Sequence, residues 1–199
     1  RDRRQVVGVM NNPAGEIEVT TATVRLSRDL AGASTTLGIG EARILADMFE
    51  TTQQQRIRRG NQVKALEKSE EPHSVLRHFF GIEEALEAQI ARALKRYTES
   101  THLGSWMMSQ KGVGPLLAAR FLAFVDWDKA WNPSQVWAFA GLDPNRVWEK
   151  GHKRPWNARL KRLCFLLGES FVKVQHREGA FYGALFTKKK AELWQKNLD

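Results

Sequence analysis

The densest group of basic side chains lies between positions 145 and 162, where seven lysines and arginines stand beside one acid, Glu149. The seven are Arg146, Lys150, Lys153, Arg154, Arg159, Lys161 and Arg162. His152, Trp148 and Trp156 are interleaved with them. Cationic groups neutralise phosphates and aromatic rings stack on unpaired bases, so this segment predicts contact with DNA or RNA. A solvated basic loop without a ligand is the alternative.

A second candidate is the turn Lys111-Gly112-Val113-Gly114, which precedes an apolar segment. A helix, a Gly-hydrophobic-Gly turn and another helix form the helix-hairpin-helix pattern. Gly112 and Gly114 permit positive φ, and a phosphate can then approach the free N–H groups that begin the second helix. We expect Val113 to point inward. Lys111 and Arg120 favour a turn that contacts nucleic acid over the alternative, a purely structural hairpin.

The overall charge supports a polyanionic partner. The 199 residues include 31 lysines and arginines against 22 acids, a formal net charge of +9, and such a surplus favours nucleic acid. The single cysteine, Cys164, excludes an internal disulfide framework and a cysteine-based zinc site. The five histidines lack metal-ligand spacing, and no apolar run reaches the ~18 residues of a membrane span. We expect a cytoplasmic protein with no metal, no cofactor and no membrane partner.

Helices must position these groups, and the predicted fold is mainly α. Residues 1–40 are predicted as an N-terminal arm, with one strand within Glu16–Leu26 and a loop over Ala31–Gly40. Residues 41–100 are predicted to form a helical linker, either an antiparallel hairpin or a coiled-coil stalk, with two ordinary packing helices as the alternative. Its helices are predicted over residues 41–68 and 74–98. The second carries an apolar stripe at Val75, Phe79, Ile82, Leu86, Ile90 and Leu94. A homodimer through residues 41–98 is one predicted consequence.

Residues 101–199 are predicted to form a compact helical domain that contains the helix-hairpin-helix. Asn132 is a candidate N-cap of one helix and Gly141 ends it. A further helix over residues 157–175 carries its apolar stripe at Leu160, Leu163, Cys164, Leu167, Phe171 and Val174. The aromatic and large apolar residues predicted as core are Trp137, Phe139, Leu142, Phe181, Tyr182 and Phe186.

Four segments follow one another in this second half: KGVGPLLAARFLAFVD, NPSQVWAFAGLDP, KGHKRPWNARLKRL and GAFYGALFTKKKAE. Their order resembles the C-terminal domain of the bridge-RNA-guided insertion-sequence transposases. The resemblance covers roughly residues 50–195, with QQQRIRRGNQVKAL and the following helix similar to that family's coiled-coil linker. It implies a helix-hairpin-helix domain that acts on DNA.

The resemblance also implies two catalytic features that this chain departs from. The family's RuvC-like half carries four acidic residues, whereas residues 1–40 offer only Asp2, Glu16, Glu18 and Asp29 without a pattern suited to two metals. The family's serine nucleophile is implied in the loop after Ala-Gly-Leu-x-Pro, yet the loop Asn145–Trp156 contains no serine or threonine.

We therefore expect a nucleic-acid-binding relative of these transposases that lacks the RuvC-like half and has no catalytic residues. Two alternatives stay open. The chain is an active transposase or recombinase, or a fragment of one; or it is a helical adaptor in a phage or plasmid assembly.

Overall fold

The computed structural model describes residues 26–125, 127, 130 and 132–198. The described part is mainly α, as predicted, with eight α-helices, one 3-10 turn and no strand. The elements are α1 (Arg28–Ala33), the 3-10 turn (Ser34–Thr36), α2 (Ile39–Lys68), α3 (Ser74–Ser100), α4 (His102–Ser109), α5 (Pro115–Phe124), α6 (Pro133–Ala140), α7 (Ala158–Lys173) and α8 (Phe181–Lys196). The predicted strand within residues 16–26 lies outside the described residues, apart from Leu26, as do Asp2, Glu16 and Glu18.

The chain forms two compact units whose boundaries differ from the predicted segments 1–40, 41–100 and 101–199. Among the described residues, one unit comprises residues 51–89 and the other comprises residues 26–50 and 90–198. Both α2 and α3 contribute to both units. Hydrophobic periodicity shows where a helix runs but not which partner each of its turns packs against, so the sequence did not reveal this division.

The predicted loop over residues 31–40 is wrong except at residues 37–38, because α1 and the 3-10 turn occupy residues 28–36 and α2 begins at Ile39. The Ser27 hydroxyl accepts a hydrogen bond from the Leu30 N–H at 3.2 Å and thereby caps α1. Asp29 lies in the first turn, where a carboxylate is favourable. This cap begins a helix even though the small residues that follow it favour a loop.

The smaller unit is an antiparallel helical hairpin, one of the two predicted arrangements. Arg56 of α2 bonds to Glu87 of α3, whereas Glu67, later in α2, bonds to Arg77, earlier in α3. The hydrogen bond to Glu87 raises the pKa of Arg56 above its ordinary value. The α2 helix ends before Glu70, whose φ of 57° lies in the left-handed region.

The apolar stripe of α3 is buried at one end and exposed at the other. Ile90 and Leu94 are buried in the larger unit, whereas the four earlier members of the stripe are exposed in the smaller one. The four exposed residues are Val75, Phe79, Ile82 and Leu86. Periodicity identified the face correctly, but only two of its six residues are buried.

Helix α5 lies at the centre of the larger unit, and six of its ten residues are buried. Phe121 and Phe124 join an apolar cluster that includes Leu160 and Leu163 of α7. Ala119, Leu122 and Ala123 join a second cluster with residues from α2 and α3. A helix that is apolar on all sides is buried on all sides, and this explains the long apolar run after the glycine turn.

Helix α8 packs on α7 through a narrow contact. The Tyr182 ring stacks on Phe171 with 4.6 Å between ring centroids. Gly183 lies so close to Gln175 that a Cβ would come within 2.4 Å of the Gln175 Cα. The prediction that Phe181 and Phe186 are core anchors is wrong: both are exposed, because α7 is the only described helix that α8 packs against.

Candidate functional site

The basic segment between α6 and α7 is anchored at both ends. Helix α6 ends at Gly141, which has the predicted left-handed conformation with φ of 68°. The Trp156 ring covers Gly141, where a Cβ would lie 2.5 Å from the ring Cγ. The Asn157 N–H donates to the Phe139 carbonyl oxygen at 2.8 Å, and the Asn157 side chain caps α7. The segment therefore begins and ends at fixed helix termini.

An internal hydrogen bond shapes the tip of this segment. The Trp148 Nε1–H donates to the His152 carbonyl oxygen at 2.7 Å. Gly151 lies inside that turn with φ of 96°, a conformation that suits glycine. The His152 ring is exposed, with its Nδ1 4.0 Å from a Glu149 carboxylate oxygen. The loop thus holds the Trp148 ring through its own backbone.

The apolar residues beside this loop are not core residues. Trp137, Phe139 and Leu142 are exposed, contrary to the prediction. Among the residues of α6, only Ala140 is buried. Alternation of aromatic and small residues indicates a helix but does not distinguish a covered face from an open one.

An open pocket of about 430 Å³ lies between the loop and α7. Its lining combines aromatic rings with cations and contains no carboxylate. The lining residues are Trp148, Arg154, Trp156, Ala158, Lys161, Arg162 and Phe165. A pocket of this size falls within the range of roughly 300–1,000 Å³ that is typical of small-ligand sites.

Two cations lie against the two indole rings. The Arg154 guanidinium carbon is 4.9 Å from the Trp148 ring centroid, and the Lys161 ammonium is 4.9 Å from that of Trp156. Both distances are within the range of a cation–π contact. Neither cation has a carboxylate partner in the part of the chain that the structure describes, and the same holds for the exposed Lys150 and Lys153.

The other predicted arginines are held by carboxylates. Arg159 bonds to Asp47, and Arg162 bonds to Glu50. Arg120, whose side chain is only 14% exposed, bonds to the same Glu50 at 2.8 Å. In addition, Arg146 lies 3.7 Å from Asp143. Arg120 is therefore a structural ion-pair partner in this fold, while Arg159 and Arg162 keep most of their side chains exposed.

The glycine turn is packed beneath α7. Gly112 has φ of 100°, and a Cβ there would lie 3.1 Å from Val174 Cγ2. Its carbonyl oxygen accepts a hydrogen bond from the Ser170 hydroxyl. Val113 is half-buried against the core, as predicted, and its N–H donates to the Gln110 carbonyl oxygen at 3.0 Å. These contacts give the turn a structural role.

Gly114 differs from Gly112 and does not use the positive φ that glycine permits. Gly114 has φ of −89° and is the N-cap residue of α5, with Pro115 following it. It is exposed, and open space surrounds the position of a Cβ. Lys111 is also exposed and lies near Gly179. Gly114 is thus an exposed position at the start of α5.

The turn and the pocket lie on opposite sides of α7. An α-helix advances about 100° per residue, which places Lys161, Arg162 and Phe165 on one side, here called the exposed face. The core face is formed by Leu160, Leu163, Leu167 and Phe171. Gly112 contacts residues 170, 171 and 174, which belong to the core side. The structure therefore unites the aromatic loop with the cations of the exposed face but separates both from the glycine turn.

The described residues offer little for covalent or metal chemistry. Burial raises the pKa of the Cys164 thiol, which keeps it protonated and a poor nucleophile at neutral pH. The Ser109 hydroxyl donates to the Trp106 carbonyl oxygen at 2.6 Å. Within the described ranges, no group of three or more His, Cys, Asp or Glu side chains is placed to hold a metal ion.

Sequence reasoning missed two residues of the pocket lining, Ala158 and Phe165. Phe165 is the aromatic one. It lies off the apolar stripe of α7, four positions after Lys161 and three after Arg162, so it shares their side of the helix. It is 70% exposed. Its position between cations on the helical projection is the signal that identifies it.

No protein-family model, no curated protein and no solved structure matches this chain. None of the helices in the described residues is both long enough and apolar enough to cross a bilayer.

Proposed function

We propose that this protein binds nucleic acid through the exposed face of α7 and the loop over residues 145–157. The observation that carries the proposal is the carboxylate-free pocket in which Trp148, Trp156 and Phe165 lie beside Arg154 and Lys161. Cations supply affinity for phosphates and aromatic rings supply stacking surfaces for bases. A merely soluble surface needs charge but gains nothing from exposed aromatic rings.

The cations that lack carboxylate partners set the expected strength of the electrostatic contribution. Lys150, Lys153, Arg154 and Lys161 together would neutralise about four phosphates, which gives a slope of log K against log salt of about −3. Arg159 and Arg162 are already bonded to Asp47 and Glu50, so we assign them a smaller share. Arg120 does not belong to the proposed interface.

Fluorescence anisotropy with labelled single-stranded and duplex DNA and RNA, measured across a salt series, tests the proposal. The double variant Lys150→Ala/Lys153→Ala should weaken binding and make the salt slope shallower by about 1.5. The matched control is Lys188→Ala/Lys190→Ala on α8, which removes the same charge away from the pocket and should leave the slope nearly unchanged. Equal effects of the two double variants would show that net charge alone drives binding.

Transposase ancestry stays a prediction. The order of the four segments supports it. The loop that would hold the family's serine departs from the family pattern, because it contains lysines, Arg154 and His152 but no serine. Incubation with supercoiled DNA and Mg²⁺ distinguishes a binding protein from an active recombinase. We expect neither nicks nor covalent adducts, and either product would favour the catalytic alternative.

Self-association through the long helices is a second proposal, favoured by the four exposed residues of the α3 stripe. Val75, Phe79, Ile82 and Leu86 form an apolar row that stays exposed, from 70% at Val75 to 38% at Leu86. A second copy could bury this row by pairing like with like. Mass measurement in solution should show a dimer that Phe79→Glu dissociates, whereas a monomer at all concentrations would exclude it. A protein that is monomeric and binds no nucleic acid at low salt would fit the adaptor alternative.

A further inference from the structure

We infer that the pocket between the loop and α7 holds one unpaired nucleobase, so that the protein prefers single-stranded nucleic acid to a duplex. This inference rests on the proposed function and specifies its ligand. A duplex presents its phosphates outward and keeps its bases stacked inside, so it would use the cations but leave the aromatic rings without a partner.

The lining of the pocket matches a flat aromatic ligand with an anionic backbone. Three aromatic side chains, Trp148, Trp156 and Phe165, supply apolar surface, and three cations stand among them. Base–aromatic stacking tolerates every base because each has a π face, and nearby cations strengthen the contact. No carboxylate lines the pocket directly, which limits the repulsion a phosphate would meet there to that of Glu50 behind Arg162.

The pocket is organised before a ligand arrives. Trp148 is held by the hydrogen bond from its ring to the His152 carbonyl oxygen, and Trp156 rests on Gly141. Phe165 lies on a regular turn of α7. Rings that are already positioned lose little conformational entropy on binding, which favours a tight contact with a single base.

The same lining predicts weak discrimination among bases. Its seven residues include no Asn, Gln, Ser, Thr, Asp or Glu, so no side chain of the lining can accept a hydrogen bond from a base edge. Only cationic and indole N–H donors are present, and Trp148 already uses its own. We therefore expect stacking that is largely independent of sequence.

A comparison of short oligo-dT with an all-abasic oligomer of the same length isolates the base contribution, because both carry the same phosphates. The intact protein should bind oligo-dT at least about tenfold more tightly than the abasic oligomer. Oligo-dT should also bind more tightly than a blunt duplex of equal length. Equal affinity for the dT and abasic oligomers would overturn the inference.

Two pocket variants test whether the preference for oligo-dT over the abasic oligomer depends on the aromatic rings of the pocket. Phe165→Ala and Trp148→Ala should each reduce the dT-to-abasic ratio while they leave the salt slope unchanged, and Trp148→Phe should restore part of the ratio because it retains a ring. Trp194→Ala, an exposed tryptophan on α8, is the matched control and should retain the full ratio. A ratio that is insensitive to both alanine variants would place the base elsewhere and reject this pocket.

The outcomes separate this inference from the proposed function. Binding of dT, abasic and duplex oligomers with equal affinity and a steep salt dependence would retain the nucleic-acid function and reject the base pocket. Failure to bind any of the three at low salt would reject both.

Discussion

The core face and the exposed face of α7 differ in side chains, packing partners and charge. The core face places Leu160 and Leu163 against Phe121 and Phe124 of α5, and both leucines are fully buried. The exposed face presents Lys161, Arg162 and Phe165 to an open pocket. One helix therefore serves as both core element and ligand-facing element, and its two sets of residues should respond differently to substitution.

The glycine turn belongs with the core face in this comparison. Ser170 holds the Gly112 carbonyl oxygen, and Val113 packs against the same cluster as Leu160 and Leu163. A helix-hairpin-helix pattern in the sequence can thus produce a turn whose first glycine is needed for packing. Gly114 alone keeps the accessible geometry that a phosphate contact requires.

The largest expected difference between the faces is in stability. Leu160→Ala should lower the free energy of unfolding by about 2–5 kcal/mol, because it leaves a cavity at a site with no solvent exposure. Phe165→Ala, on the exposed face, should change it by less than about 0.5 kcal/mol. Denaturant unfolding of both variants measures this difference, and equal losses would show that Phe165 is covered in solution.

The two glycines of the turn give the next largest contrast. Gly112→Ala should cost about 1–3 kcal/mol, because alanine rarely adopts a φ of 100° and its Cβ would crowd Val174. Gly114→Ala should cost less, about 0.5–1 kcal/mol, because glycine is favoured over alanine at an N-cap but φ at this position is negative and a Cβ meets no neighbour. Thermal unfolding measures both effects.

Oligo-dT binding by the same glycine variants tests whether the glycine turn belongs to the interface. Gly114→Ala adds a methyl group at the exposed start of α5, yet we expect oligo-dT affinity to stay unchanged because the pocket lies on the opposite side of α7. A loss of affinity without a loss of stability would extend the interface to the turn.

Helices α6 and α7 were predictable from the sequence because the signals that mark them are local. The apolar stripe of Leu160, Leu163 and Leu167 recurs with helical spacing and marks the core face correctly. Both ends of α6 were also predicted correctly. The Asn132 side chain accepts a hydrogen bond from the Gln135 N–H at 3.0 Å, and Gly141 ends the helix in the left-handed conformation. Each signal depends on residues within four positions of one another.

The composition of the candidate site was predictable only in part, because its electrostatics depend on residues far apart in sequence. Arg120 pairs with Glu50 across 70 positions, and Arg159 and Arg162 reach α2 across 112. A count of basic residues therefore overestimates the cations available to a ligand. The sequence did not reveal which aromatic residues are exposed either, since Trp137 and Phe139 have side chains typical of a core but lie at the surface.

The smallest expected effect concerns Glu50, which joins Arg162 of the pocket to Arg120 of the interior. Glu50→Gln removes the carboxylate but keeps an acceptor, so unfolding should become easier by about 1 kcal/mol. Affinity for oligo-dT should rise a few-fold, because Arg162 gains freedom and a negative charge leaves the vicinity of the phosphates. Glu192→Gln, which breaks the exposed pair with Lys189 on α8, controls for the change in net charge and should leave affinity nearly constant. An affinity that falls in Glu50→Gln would mean that the carboxylate positions Arg162 for the ligand, which would make the ion pair part of the exposed face's binding geometry.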